Sequence, residues 1–272
     1  MSDKTSRPRV VLITGASSGV GRSTARLLSQ NSYKVFGTSR NPTAAQELPD
    51  VELLPLDVRS DESVAACVKS AIDAEGRIDV LVNNAAYELA GALEETSMEE
   101  VRAQFETNLF GVVRMVTAIL PFMRRRADGQ IINVSSLAGV SSIPFMGIYS
   151  ASKFALEGYT EALRMEVGPL GIRVSMTEAS FLKTAMTDHR QVSAAQLEEY
   201  RPFRQRAFDA IRAHEGKAPG PELVSQVILQ ILGSRKPRLR YRIGQAKVAT
   251  RLQRFLPEWA YERGKRSTFG LE

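Results

Sequence analysis

The sequence predicts an α/β fold, a doubly wound parallel sheet with helices on both faces. Two observations carry this prediction. Short apolar runs alternate with helical stretches from the N-terminus onward, which is the pattern of βαβ units. A glycine-rich turn directly follows the first apolar run and opens the first helix. No internal repeat, low-complexity segment or linker interrupts the 272 residues, so the chain reads as one domain over 1–272.

Val10–Thr14, a β-branched apolar run, is the first expected strand, and the stretch from Val20 to Gln30 the first helix. Lys34–Ser39 and Val51–Asp57 read as the second and third strands. Asp61–Glu75 is long enough for a helix, with Asp61 as its N-cap. Val80–Asn83 is a fourth strand, and Met98–Arg126 holds one or two long helices. Gln130–Val134 is a fifth strand. Tyr149–Val167 is a helix that stops near Gly168-Pro169, where the chain cannot continue helically. Ile172–Thr177 is a sixth strand, Pro221–Leu232 a helix and Leu239–Ile243 a last strand. Residues 183–220 are polar and partly helical, with no strand expected. They follow a strand's C-terminal end, where ligands bind in open α/β sheets, and so read as a mobile substrate lid.

Composition narrows the function classes. A share of 43% hydrophobic and 24% charged residues is ordinary for a folded soluble protein. The N-terminus has no apolar signal region, no run of about 18 apolar residues is present, and Cys67 is the only cysteine. A reducing cytoplasm is the expected location, and Cys67 reads as a half-buried helix residue. The net charge of +6 is uneven: residues 233–272 hold eleven Lys/Arg against three Glu, and the rest of the chain balances to −2. No basic stretch is interleaved with stacking aromatics, so nucleic acid is not an expected partner. His189 and His214 lack ligand spacing and cysteine partners; both read as surface histidines, and no metal is expected.

Three motifs carry chemistry. TGASSGVG, Thr14 to Gly21, places glycines at 15, 19 and 21. Their missing side chains let a pyrophosphate reach the free N–H groups and positive dipole end of the following helix. At the end of the second strand, a carboxylate would bind a ribose 2′-hydroxyl and repel a 2′-phosphate. Ser39-Arg40 stands there instead, with Arg22 as a second cation, which favours NADP over NAD. Tyr149 and Lys153 are four residues apart and share a helix face. A phenol working near neutrality needs its pKa lowered by about three units, or roughly 4 kcal/mol. One cation about 4 Å away supplies on the order of 4 kcal/mol at an effective dielectric near 20. Burial opposes it, and the positive charge of an oxidised nicotinamide would close the gap.

Together these residues resemble the short-chain dehydrogenase/reductase family, in its branch of about 250 residues, over residues 8–245. The resemblance implies a Rossmann-type sheet. TGASSGVG matches the family's cofactor turn, implying contacts from Gly15, Ser17, Ser18, Gly19, Val20 and Gly21. Leu56–Val58 matches the segment in which Asp57 and Val58 meet the adenine. NNAA, from Asn83 through Ala85 to Ala86, resembles its Asn-Asn-Ala-Gly. Asn108 in NLFG, INVSS and YSASK match the catalytic tetrad Asn108, Ser136, Tyr149 and Lys153. Ser136 is chosen over Ser135 because it precedes the tyrosine by about a dozen residues. One departure stands out: where the family has Pro-Gly and then Thr, this chain has Glu178-Ala179-Ser180-Phe181-Leu182-Lys183-Thr184. Phe181 and Thr184 are carried over as cofactor contacts.

The resemblance implies hydride transfer between NADP(H) and a carbonyl or secondary alcohol. Tyr149 is the acid/base, Ser136 the hydrogen bond to the substrate oxygen and Lys153 the tuning cation. Asn108 holds a water that links Lys153 to solvent. The apolar or aromatic Leu137, Phe145, Met146, Tyr87, Phe181 and Met186 flank these positions, and IYSASKFALEG is similar to hydroxysteroid and retinol dehydrogenases, so a lipophilic ketone or aldehyde is the expected substrate. A homodimer or homotetramer is implied through the helices around 98–126 and 149–167. The basic extension at 245–272 carries Val248, Leu252, Phe255, Leu256 and Trp259 at helical spacing. Packing over the pocket is the first expected role, a subunit contact the second and an acidic membrane surface the third. The alternative to an enzyme is a catalytically silent NADP-binding regulator, and the intact Ser, Tyr and Lys argue against it.

Overall fold

The computed structural model describes residues 7–46, 48–184 and 190–272. Seven parallel strands form the central sheet: β1 (Val10–Ile13), β2 (Lys34–Ser39), β3 (Val51–Pro55), β4 (Val80–Asn83), β6 (Gly129–Ser136), β7 (Ile172–Ala179) and β9 (Arg240–Ile243). Their order is β3-β2-β1-β4-β6-β7-β9. The order reverses between β1 and β4, which creates the crevice used by ligands in this class of sheet. Strands buried on both faces need continuous apolar runs, and β1 and β4 are buried throughout.

One face is covered by α2 (Asp61–Glu75), α3 (Met98–Phe105), α4 (Gly111–Arg126) and α5 (Gly147–Val167). Cys67, Met115, Ile119 and Leu156 pack there against Leu12, Leu81 and Ile131. The other face is covered by α1 (Gly19–Ser29) and α7 (Glu222–Gly233), with Leu28 and Ile228 packed on Val11, Val82 and Ile132. Beyond the strands' C-terminal ends lie the short strands β5 (Leu89–Ala90) and β8 (Gln191–Val192), then α6 (Arg201–Gly216). After β9 the chain ends in α8 (Ala246–Phe255) and α9 (Glu258–Thr268).

Several expectations are corrected. The α2 N-cap is Ser60, whose hydroxyl accepts from Ser63 N–H at 3.1 Å. Asp61 is already helical and pairs with Arg114 at 2.6 Å. The helix from Met98 to Arg126 is continuous, but it widens into a π-helical turn at Glu106–Phe110. By length and composition it could cross a membrane. A third of its most apolar stretch is buried, and Val112, Met115, Val116, Ile119 and Met123 belong to the core on this face of the sheet. Cys67 is fully buried, and burial pushes its thiol up to about 12. The 183–220 segment does contribute a strand, since β8 pairs with β5 in parallel register, Leu89 beside Gln191 and Ala90 beside Val192.

At the opposite end of the sheet, Asp79 is wholly buried, accepts from Val10 N–H at 2.8 Å and pairs with Arg77 and Arg126. Removing this carboxylate leaves a buried backbone donor unpaired and takes one partner from two part-exposed guanidiniums, of which Arg126 still donates to Ile78 O. Asp79→Ala should therefore lower unfolding free energy by about 2–3 kcal/mol. A chemical denaturation curve within about 1 kcal/mol of the parent would reject this role.

Candidate active site

A cleft of about 1070 Å³ runs along the C-terminal ends of the central strands. Its first wall is the glycine turn. Gly15 and Gly19 have φ of +67° and +52°, where a side chain is strained. A Cβ on Gly21 would stand 2.2 Å from Gly15 O, so this glycine lets α1 close onto the turn. Ser18 caps α1 without a side-chain hydrogen bond, and no acid lies in the first turn. The helix end therefore presents unsatisfied N–H groups beside Gly15, Ser17, Ser18, Gly19 and Val20, a cradle suited to a pyrophosphate.

The end of the cleft beyond β2 and β3 is cationic. Ser39, Arg40, Asp57, Val58 and Arg59 line it, and Arg40 and Arg59 are exposed there. The Arg59 guanidinium grips Asp57, with NH2–Oδ2 at 2.6 Å, and holds its carboxyl down to about 2. Arg59 has no motif of its own, and sequence reasoning missed it; only its position two residues after Asp57 hinted at such a pair. Arg22 is turned to Gln46 O at 2.7 Å.

Asn83 is not brought to the cleft: its amide donates to Asn133 Oδ1 at 2.9 Å inside the sheet. The next residue reaches the cleft instead. Asn84 Nδ2 donates to Thr14 O and Gly15 O at 2.9 and 3.0 Å, fixing the glycine turn beside Ala85. The first residue beyond a strand end leaves the sheet, and that rule was the available signal.

Lys153 and Tyr149 are buried side by side near the start of α5, with Nζ 5.9 Å from the phenol ring centre. Lys153 Nζ donates to Val134 O at 2.9 Å. Burial pushes Lys153 down to about 8 and Tyr149 well above its ordinary value. Glu88 raises the phenol further; a hydrogen bond with Ser136 and the charge of Arg190 act the other way. Alternation along β6 sends the two serines apart: Ser136 meets Tyr149, while Ser135 turns toward Glu157. Ser136 Oγ also accepts from Ala138 N–H at 3.1 Å.

Asn108 sits in the π-helical turn, a feature common at functional sites. Its Oδ1 accepts from Tyr87 N–H at 3.1 Å, and its Nδ2 donates to Tyr87 O and Ser152 Oγ, each at 3.1 Å. Ser152 in turn donates to Tyr149 O at 2.7 Å. Asn108 thus links the cleft wall to the tyrosine's own helical turn.

The family's absent Pro-Gly has a structural counterpart. Ser180 Oγ accepts from Gln245 N–H at 3.2 Å, and Ser180 N–H donates to Ile243 O at 3.3 Å. The loop after β7 is thereby tied to the turn leading into α8. Phe181 and Thr184 both line the cleft. Leu137, Ile143, Met146 and Tyr87 line the same cleft as Tyr149. Phe145 is held at φ +57° and meets Tyr200 edge-on at 6.4 Å.

His214 is not a free surface residue, since it stacks on Phe181 at 5.2 Å and lies 6.5 Å from Phe269. Met186 and His189 lie outside the described residues. The segment expected as a lid is tied to the body by buried ion pairs. Arg190 bridges Glu88 at 2.8 Å and Glu215, and Arg204 pairs with Glu95.

Comparison with known proteins adds independent findings. Residues 9–194 match the family model described as short chain dehydrogenase. The chain is 42% identical over 240 residues to a 3-ketodihydrosphingosine reductase of Bacteroides thetaiotaomicron, covering 88% of each protein. It is 38% identical to retinol dehydrogenase 8 of Bos taurus, over 86% of this chain and 81% of that one. A short-chain dehydrogenase from Streptomyces avermitilis superposes with a TM-score of 0.80 at 32% identity, covering 97% of both chains. An actinorhodin polyketide ketoreductase crystallised with NADPH superposes with a TM-score of 0.75 at 29% identity, covering 86% and 95%.

Proposed function

The chain belongs to the short-chain dehydrogenase/reductase family, and from that premise we propose that it is an NADPH-dependent reductase of lipophilic ketones or aldehydes. The observation that carries this reading is Tyr149 buried beside Lys153 and bonded to Ser136 in a cleft that also holds the glycine cradle. Similar proteins named for retinol and 3-ketodihydrosphingosine support a lipophilic substrate, as do Leu137, Ile143, Met146 and Phe181 around the tyrosine.

The residues present fit the cofactor. Gly15, Gly19 and Gly21 with the uncapped α1 end would hold its pyrophosphate, Arg40 and Arg59 its 2′-phosphate, and Lys153 its nicotinamide ribose. When bound, NADPH supplies the hydride. Ser136 and Tyr149 direct hydroxyl hydrogens at the substrate oxygen, and Tyr149 delivers the proton. At neutral pH Lys153 remains mostly protonated and stabilises the phenolate left behind; above about 8 that charge is lost. Asn108 acts through the Tyr87 backbone and Ser152, holding the wall opposite the tyrosine in register. Arg190 offsets the charge of Glu88, which would otherwise disfavour the phenolate.

Cofactor preference gives a direct test. Arg40→Glu should weaken NADPH binding by about 10- to 150-fold, the value of a charged hydrogen bond, and affect NADH far less. Equal losses for both cofactors would remove the 2′-phosphate assignment. We also propose cytoplasmic location and self-association, the latter through Phe110, Phe154 and Met165, exposed on the long helical rod and α5. The alternative of a silent NADP-binding regulator predicts binding without NADPH consumption on any carbonyl.

A further inference from the structure

The C-terminal extension divides into an anchored part and an unpartnered part. Ala246, the first residue of α8, is buried, and the preceding turn is fastened to Ser180. At the other end of α9, Phe269 is buried with Met146, Tyr149 and Ile211. Tyr261 bonds Ser141 at 2.5 Å, and Lys265 donates to Ser142 O. This far end packs beside Met146 and Tyr149, and none of residues 246–272 lines the cleft itself.

The apolar stripe does not cover the pocket. Val248 is 59% exposed, Leu252 46%, Phe255 77%, Leu256 42% and Trp259 69%. Lys247, Arg251 and Arg254 are exposed among them. Between Glu222 and Glu258 the sequence has eight basic residues and no acidic one. A face-to-face contact between two copies of this patch would bring like charges together. A surface dense in negative charge with an apolar interior would satisfy both halves of the pattern.

We propose that α8 and the start of α9 form a docking face for an anionic lipid bilayer. Leu252, Phe255, Leu256 and Trp259 enter the headgroup–acyl boundary, while Lys247, Arg251 and Arg254 meet the phosphates. The anchors at Ser180 and Ser141 present this face as a fixed corner of the fold. Through α9 the corner is joined to the loop at the cleft's mouth, where a lipophilic molecule would enter. The docking face does not depend on the catalytic assignment, and its test reads no turnover.

Trp259 is the only tryptophan in the chain and reports on the face directly. Full-length protein is titrated with vesicles of phosphatidylcholine alone, and with vesicles of equal parts phosphatidylcholine and phosphatidylglycerol. Tryptophan emission and co-sedimentation are followed, and the protein's size without vesicles is measured in parallel. The anionic vesicles should shift the emission to the blue and carry the protein down, and salt should reverse both effects. Neutralising Lys247, Arg251 and Arg254 together with Gln should weaken partitioning on the order of a hundredfold. The pair Leu252→Glu and Phe255→Glu, both exposed, should abolish it with far-ultraviolet circular dichroism and NADPH binding unchanged. Equal behaviour with both vesicle types, an unshifted emission, or a wild-type dimer that this pair converts to monomers would each overturn the proposal.

Discussion

Tyr149→Phe should lower NADPH-dependent carbonyl reduction by at least about a hundredfold and up to about 10⁴-fold, the range removed with a general acid. The substitution deletes one hydroxyl and leaves the buried ring in place. Folding and dinucleotide affinity should therefore stay close to the parent's, and the loss should fall on kcat rather than on cofactor binding. Without this hydroxyl, Ser136 remains as a hydrogen-bond donor, but an aliphatic alcohol is too weak an acid to deliver the proton in place of a phenol. A variant that kept more than about a tenth of parental turnover would place the proton donor elsewhere, since that loss is only about 1.4 kcal/mol of barrier. Comparison of single-turnover NADPH oxidation in both proteins is the measurement.

Gly21→Val should cost dinucleotide affinity on a similar scale, for a different reason. A Cβ at this position would stand 2.2 Å from Gly15 O and 2.5 Å from Asn84 Nδ2. Neither neighbour is a flexible side-chain end that can swing away, because Asn84 is fixed to Thr14 O and Gly15 O. The glycine turn must lift off α1, and losing even one charged hydrogen bond to the pyrophosphate costs about 10- to 150-fold. Isothermal titration with NADPH should show that loss with most of the fold intact. Parental affinity would mean that the cradle does not hold the pyrophosphate.

Much of this architecture was legible because it rests on local rules. Buried parallel strands require apolar runs, so β2 and β4 are found at their expected limits, and α2 at Asp61–Glu75. Tyr149 and Lys153 share a face because helical geometry demands it. Other features depend on partners far away in sequence. Strands β5 and β8 have two residues each, too few to show any periodicity, and pair across about a hundred positions. Arg190, Glu88 and Glu215 meet only through the fold. Ser60 and Asp61 are both good N-caps, and only the backbone shows which one precedes the helix. The exchange of Asn83 for Asn84 at the cleft turns on Asn133, 50 residues later, which holds the Asn83 amide inside the sheet. The role of Ser180 needs Gln245, 65 residues later, and so could not be read from the Ala179-Ser180 departure itself.

Tyr149 and Lys153 raise a shared electrostatic question. In the protein alone, burial holds the phenol protonated and brings Lys153 down to about 8. Proton exchange near neutrality then needs both Lys153's charge and that of the oxidised nicotinamide. Ultraviolet difference titration of tyrosinate in the NADP+ complex tests this directly. One tyrosine should ionise well below its ordinary value near 10, an event absent in Tyr149→Phe, displaced upward in Lys153→Met and absent below pH 10 without cofactor. Identical titrations for wild type and Tyr149→Phe in the complex would contradict the account.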